Sequence, residues 1–177
     1  NIGYLLASSN KNIQGMAGIG FVIASKKSIE KVKDIKPRNF YLNLYAQYEN
    51  FIKNHQMRFT PPVQTLYSLN QAIIELKEEG VKNRSKRYDK SWKTLTRFLK
   101  ENNLKYLVDD KYHSRIITSI FIPDGINFND MHDYFYEKGF TIYPGKVADF
   151  NTFRIANIGE IDYKDIERFL SLFRKYI

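Results

Sequence analysis

Residues 62–102 read as two consecutive helices interrupted only at Gly80, and this helical block separates two stretches with different hydrophobic periods. A chain that runs strand, turn, strand, then helix and helix, then short strands alternating with short helices is expected to form two bodies joined through the helix pair. Ahead of the block, the apolar run at residues 2–7 stops at Ser8-Ser9-Asn10-Lys11, and Gly15, Gly18 and Gly20 punctuate the way into a second apolar run at 21–24. A short helix is expected over 28–33, ended by Pro37. The aromatic segment 38–59 is irregular except that Tyr41, Tyr45, Tyr48 and Phe51 are spaced like one helix face. Thr60-Pro61-Pro62 then announces the first long helix, with Thr60 as a hydroxyl N-cap and Leu66, Leu69, Ile73 and Leu76 as the apolar face.

Beyond the block the spacing predicts strands over 104–108, 115–122, 140–143 and 152–156 and a helix over 129–138 stopped by Gly139. A last helix starts near Asp162 with Tyr163, Ile166, Phe169, Leu170, Phe173 and Ile177 on one face. This half is expected to be a small α+β sandwich, a mostly antiparallel sheet covered by helices on one side, so the whole chain is read as α/β and α+β. The domain division that follows is 1–80 and 81–177.

Hydrophobic residues make up 43% of the 177, including 13 Phe and 13 Tyr, which is enough to bury a core and excludes a disordered or fibrous chain. The cysteine count is 0, which excludes a disulfide framework, a thiolate zinc site and a cysteine nucleophile and fits a reducing, cytoplasmic compartment. No apolar run is long enough to span a bilayer. The chain opens Asn1-Ile2-Gly3 with no basic leader, in what reads as the middle of a strand, so a piece of a longer protein is expected.

The net charge of +9 attracts anions of every class without choosing among them. Its densest stretch, Lys82, Arg84, Lys86, Arg87, Lys90, Lys93 and Arg97, is interleaved with Val81, Tyr88, Trp92, Leu95 and Leu99 at helical spacing. The charges are therefore expected on the solvent face of an amphipathic helix. A nucleic-acid stripe is the weaker reading, because no helix-turn-helix, zinc or RNP-type signature accompanies it. His55, His113 and His132 have no metal-ligand spacing and are read as surface or packing residues.

The residues that carry chemistry are Lys11, Thr60 and Arg154. A lysine after a strand and three small polar residues, followed by glycines, can be held where its amine is partly desolvated and reacts with an aldehyde. The glycines Gly15-Met16-Ala17-Gly18-Ile19-Gly20 lead into a strand and not a helix, which does not support a dinucleotide fingerprint.

The run Ser8-Ser9-Asn10-Lys11-Asn12-Ile13-Gln14-Gly15-Met16-Ala17-Gly18-Ile19-Gly20-Phe21-Val22-Ile23-Ala24 resembles the cofactor-lysine segment of 2-aminoethylphosphonate:pyruvate aminotransferases, class V enzymes of fold type I that use pyridoxal 5'-phosphate (PLP). Arg58-Phe59-Thr60-Pro61-Pro62 matches next, and then Tyr143-Pro144-Gly145-Lys146 with Phe153-Arg154-Ile155-Ala156-Asn157-Ile158-Gly159-Glu160-Ile161. Gly80-Val81-Lys82-Asn83-Arg84 and Arg87-Tyr88 are similar to the family's linker helices, so the resemblance covers essentially the whole chain. It implies the C-terminal half of such an enzyme, the end of the large domain plus the small α+β domain.

By that resemblance Lys11 is the residue that carries PLP covalently, Asn10 a phosphate ligand, and Thr60 a phosphate ligand reaching the neighbouring subunit's cofactor across a homodimer. Arg154 binds the acidic end of the substrates, 2-aminoethylphosphonate and pyruvate. The chain departs from the family pattern at Asn12, Ala17, Val63-Gln64 and Ala156, which touches the choice of substrate and no catalytic group. The family's aspartate for the pyridine nitrogen, its stacking aromatic and its phosphate loop have no counterparts in these residues. Alanine:glyoxylate or serine:pyruvate transamination stays open as a related activity, and a non-catalytic dimerisation or binding domain as a different class. Cysteine desulfuration is excluded by the lack of cysteine in these residues, unless its cysteine loop lies in another segment.

Overall fold

The computed structural model describes residues 2–145, 147 and 149–177. The chain divides into two compact units, Asn1–Leu76 and Lys77–Ile177.

In the first unit, β1 (Tyr4–Ser8) and β2 (Gly20–Ala24) pair antiparallel, with Tyr4 opposite Ala24 and Ser8 opposite Gly20. Helix α1 (Lys26–Glu30) is capped by the Ser25 hydroxyl, which accepts the Ser28 N–H at 3.1 Å and starts the helix two residues ahead of the expected 28. Helix α2 (Leu44–Asn54) occupies the middle of the aromatic segment. It is capped by Asn43, ends at His55 in the left-handed conformation (φ 56°) and buries none of its residues. His55 is thus a helix terminator.

Helix α3 (Val63–Glu79) starts later than the sequence implies. Each proline biases the residue before it away from the helical region, so Thr60 and Pro61 stay outside the helix and the Leu66 N–H donates to the Pro62 carbonyl at 3.0 Å. Thr60 therefore lies ahead of the helix and is not its N-cap. The expected face of Leu66, Leu69, Ile73 and Leu76 is only half-buried, and the buried residue of this helix is Ala72.

The second unit is built on α4 (Val81–Glu101), which buries Tyr88, Trp92, Leu95, Phe98 and Leu99. Val81 stands in the first turn and is exposed, against expectation. Three strands follow in the order β3-β5-β4, all antiparallel: β3 (Ile117–Phe121), β4 (Tyr143–Pro144) and β5 (Thr152–Ala156). The strand expected over 104–108 is reduced to one bridge, Tyr106 with Ile120, because the left-handed Asn103 (φ 55°) and a 3-10 turn at Asp110–Tyr112 bracket it closely. The strand expected over 140–143 starts only at Tyr143, since the Phe140 N–H still closes the end of α5 (Phe128–Tyr136) on the Phe135 carbonyl at 2.9 Å. Asp162 and Asp165 form a capping box that opens α6 (Tyr163–Tyr176).

Alternation along the strands divides the sheet into two faces. Phe153 pairs with Ile120 and Ile155 with Thr118 on the inner face, where they meet Leu95, Leu99, Met131, Phe135, Ile166, Phe169 and Phe173. The centre of this core is aromatic: Phe135 lies 4.8 Å from Phe169, and Phe98 and Phe153 lie 5.8 and 5.9 Å from Phe173 between ring centroids. Such pairs contribute about 0.5–1.5 kcal/mol each beyond their buried area.

A polar knot closes the other side of α4. Glu79 accepts from Arg84 Nε at 2.6 Å and from Arg87 Nε at 2.8 Å, while Arg87 Nη1 donates to the carbonyls of Gly159 and Ile161 at 2.7 and 2.9 Å. The buried Asn157 amide donates to the carbonyls of Tyr88 and Arg115. Arg84 and Arg87 thus leave the solvated basic face, because a carboxylate at the end of α3 and, for Arg87, carbonyls after β5 take their donors. The loop following β5 is fastened to α4.

Candidate active site

Lys11 sits on the loop joining β1 to β2, and one buried serine shapes that loop. The Ser9 N–H donates to the Ile19 carbonyl at 3.0 Å, its carbonyl accepts from Gly15 N–H at 2.8 Å, and its hydroxyl donates to the Met16 carbonyl at 2.5 Å. Inside this brace the Lys11 carbonyl accepts from Gln14 N–H at 2.8 Å, with Gln14 left-handed (φ 66°). A Cβ on Gly15 would come to 3.1 Å of the Ser9 carbonyl oxygen, which is why the turn takes glycine there. The loop rests on a small-residue side of α3: Gly15 faces the Ala72 methyl, Gly18 faces Thr65, and the Met16 N–H points to the Ser68 hydroxyl at 3.4 Å. Ser9 and the Thr65, Ser68, Ala72 stripe are the positioning residues that sequence reasoning missed. The stripe's spacing of three and four was the available signal.

The Lys11 ammonium is exposed and has no hydrogen-bond or ion-pair partner among the described residues. The desolvating pocket expected around it is therefore not supplied by them. Asn10, beside it, is exposed as well.

Thr60 is exposed at the end of a cluster that fixes the segment before it. Arg58 Nη1 donates to the Phe40 carbonyl at 2.8 Å, and its guanidinium lies over the rings of Phe40 and Phe59 at 4.5 and 5.1 Å. Lys11, Asn10 and Thr60 belong to the first unit, and Arg154 to the second.

Arg154 occupies the middle of β5, the central strand, on the outer face of the sheet opposite Ser119 of β3 and Tyr143 of β4. Its Nε donates to the Pro144 carbonyl at 3.0 Å. Among the described residues Nη1 and Nη2 have no protein partner, so the forked end of the guanidinium is uncommitted within them. Lys146 of the Tyr-Pro-Gly-Lys motif lies outside the described residues.

The histidines take packing roles. His113 lies against Trp92 with ring centroids 5.0 Å apart and tilted by 33°, and His132 pairs with Asp133 at 2.9 Å; no metal-binding cluster occurs among the described residues. No helix is long and apolar enough to cross a membrane among them.

The chain thus carries a lysine on a braced hairpin loop in one unit and an arginine on an antiparallel sheet in the other. Residues 1–155 match the Aminotransferase class-V family, well over half of the chain, and the chain belongs to that family. Among its relatives is a 2-aminoethylphosphonate–pyruvate transaminase of Bacillus cereus (strain Q1), 42% identical over 177 residues, covering 98% of this chain and 48% of the relative. A bifunctional phosphonoacetaldehyde hydrolase/aminoethylphosphonate transaminase of Clostridioides difficile (strain 630) is 41% identical over 181 residues, covering 100% of this chain and 28% of that one. The chain spans about half the length of the single-function relative it matches. The fold is that of fold type I aminotransferases: a pyridoxamine-pyruvate aminotransferase from Mesorhizobium loti superposes with a TM-score of 0.86 at 18% identity, over 97% of this chain and 45% of the other.

Proposed function

We propose that the protein to which these residues belong transfers an amino group from 2-aminoethylphosphonate to pyruvate with PLP as cofactor, acting as a cytoplasmic homodimer. The observation that carries this reading is the 42% identity over nearly the whole chain to a transaminase of that name. The geometry supports it: among the described residues Lys11 stands unpaired on a braced loop, Asn10 and Thr60 offer uncommitted donors, and Arg154 offers a fork. That donor set fits a phosphate-bearing aldehyde, one amine for the carbonyl and neutral donors for the phosphate. Residues 1–80 would then be part of the cofactor-binding domain and 81–177 the small domain.

When bound, PLP supplies the electron sink that makes the substrate's amine-bearing carbon acidic. Lys11 Nζ removes the proton from that carbon and returns one on the way back, alternating as base and acid. The brace on Ser9 holds the backbone of the loop that carries Lys11 through both transfers. Thr60 and Asn10 donate to phosphate oxygens, Thr60 to those of the neighbouring subunit's cofactor. Arg154 pairs two oxygens of the phosphonate in one half-reaction and of the pyruvate carboxylate in the other.

The test is Lys11→Ala in the complete protein. Visible absorbance of the bound cofactor and alanine formation from 2-aminoethylphosphonate and pyruvate are both expected to vanish, with far-UV circular dichroism unchanged. An unaltered visible spectrum refutes the role of Lys11. A wild-type preference for serine or alanine with glyoxylate would keep the family and remove the phosphonate.

A further inference from the structure

The outer face of the sheet carries one row across its three strands, Ser119, Arg154 and Tyr143, each directly opposite its neighbour in the antiparallel register. Directly opposed residues hold their Cβ atoms about 4.5–5.5 Å apart on the same face. The row is not symmetric. Arg154 Nε donates to the carbonyl of Pro144, the residue after Tyr143, so the guanidinium leans over β4 and away from Ser119. Tyr143 is 56% exposed, and its hydroxyl has no partner among the described residues. A tyrosine reaches about as far from the sheet as an arginine does, whereas the serine hydroxyl ends one atom beyond its Cβ.

We infer that the Tyr143 hydroxyl is a specificity-determining donor that takes the third oxygen of a phosphonate whose other two oxygens sit on the Arg154 fork. This rests on the reading of Arg154 given above and deepens it. A carboxylate has two oxygens and a planar fork satisfies both. A phosphonate is tetrahedral with three, and two parallel bonds to the guanidinium leave the third pointing to one side. Nε is already committed to Pro144, so the arginine has no donor to spare on its β4 side. The phenol of Tyr143 stands on that side. The discrimination comes from counting oxygens: with Tyr143 the row accepts either anion, and the third bond is made only by the phosphonate.

Two features of the fold keep Tyr143 and Arg154 on adjacent, closely held strands. The Gly145 N–H donates to the Thr152 carbonyl at 2.7 Å, which holds β4 against β5. A Cβ on Gly145 would lie 2.6 Å from that same oxygen, so the close approach depends on glycine.

The experiment compares Tyr143→Phe with wild type and with Ser119→Ala in the complete enzyme loaded with PLP. The kcat/KM values for 2-aminoethylphosphonate and for alanine are measured, together with inhibition by ethylphosphonate and by propionate, which report binding without turnover. Tyr143→Phe is expected to lower kcat/KM for the aminophosphonate about tenfold, since a hydrogen bond to a charged group is worth roughly that factor, and to weaken ethylphosphonate inhibition in proportion. The ratio of phosphonate to carboxylate should shift by nearly as much. Ser119→Ala should leave that ratio within about twofold. Arg154→Ala in parallel should depress both substrates. A Tyr143→Phe ratio within twofold of wild type, or an equal loss for both anions, overturns the role of Tyr143 while leaving that of Arg154 intact. An Arg154→Ala enzyme that keeps both substrates overturns the reading of Arg154, and this inference with it.

Discussion

The two units bury their apolar residues very differently. In Lys77–Ile177 the core residues Leu95, Leu99, Ile120, Met131, Phe135, Phe153 and Phe173 are all 0% exposed. In Asn1–Leu76 the buried hydrophobics are Ile29 and Ala72, while Leu6 and Ile23 on the hairpin remain 73% and 63% exposed. The strands of that hairpin are apolar on both faces, the pattern of strands buried on two sides, and the described residues do not cover them. One unit therefore carries its own hydrophobic driving force, and the other holds geometry, a braced lysine loop, with little core beneath it. Local hydrogen bonds around Ser9 can fix a turn without a core, whereas a fork on a sheet needs the sheet to be stable.

The largest effect that can break this contrast comes from separating the units. Residues 77–177 expressed alone are expected to unfold in one cooperative urea transition, and residues 1–76 alone to show no sigmoidal transition. Cooperative unfolding of 1–76 would show that its exposed apolar strands are compatible with independent stability. Next come paired truncations: Phe153→Ala should cost about 3–5 kcal/mol in 77–177, because it empties the centre of an aromatic cluster. Leu6→Ala should alter the whole chain's urea midpoint by about 0.5 kcal/mol or less. Equal costs at the two positions would sink the comparison.

A smaller effect tests the polar knot. Glu79→Ala leaves Arg84, which is 5% exposed, without its carboxylate, and is expected to cost about 2–4 kcal/mol by urea denaturation. The same knot gives the second unit a pH dependence. Hydrogen bonding from Arg87, with Arg84 beside it, holds the Glu79 carboxyl below the usual range. Its contribution is complete above the unfolded carboxylate pKa, about 4.3, and is lost as pH falls through its lower folded value.

Burial pushes the His113 imidazole down, and its Nδ1 accepts the Arg115 N–H at 2.9 Å, which requires that nitrogen to be unprotonated. The unfolded chain therefore takes up the proton first. Stability of 77–177 should decline as pH drops below about 6.5 and level off once folded His113 protonates. Urea midpoints between pH 8 and pH 3 should show both steps, with His113→Phe flattening the upper and Glu79→Gln shrinking the lower, to which Asp89 and Asp110, held low by hydrogen bonds from Lys93 and Lys100, also contribute. A variant that left its own step unchanged would refute that assignment. The smallest effect compares caps: Asp162→Ala, in a capping box under a packed helix, should cost about 1 kcal/mol, and Asn43→Ala, capping a helix with no buried residue, about half as much.

Much of this was legible before any coordinates. The strands at 21–24 and 152–156, the helix break at Gly80 and the start of α6 at Asp162 follow from period, glycine and capping chemistry, which act over a few residues. The same local rules failed where distant atoms decided the outcome. Residues 104–108 have a strand's composition yet form a single bridge, and Arg84 and Arg87 sit in a basic run yet turn inward to Glu79 and the loop after β5. The order of the lysine, threonine and arginine motifs was readable as text. The Ser9 brace was not, because its importance lies in three bonds closed by the loop's return.

The sequence by itself determined the alphabet of elements and carried the family resemblance that points to Lys11, Thr60 and Arg154, since motif order and residue type are legible along the chain. Tertiary structure alone decided that Arg154 Nε is spent on Pro144, that Arg154 stands opposite Tyr143 in the strand register, and that Thr60 lies ahead of its helix. Which donors remain free is settled only when the strands pair, because each hydrogen bond made within the fold removes a donor from the ligand, and pairing joins residues that the chain keeps apart.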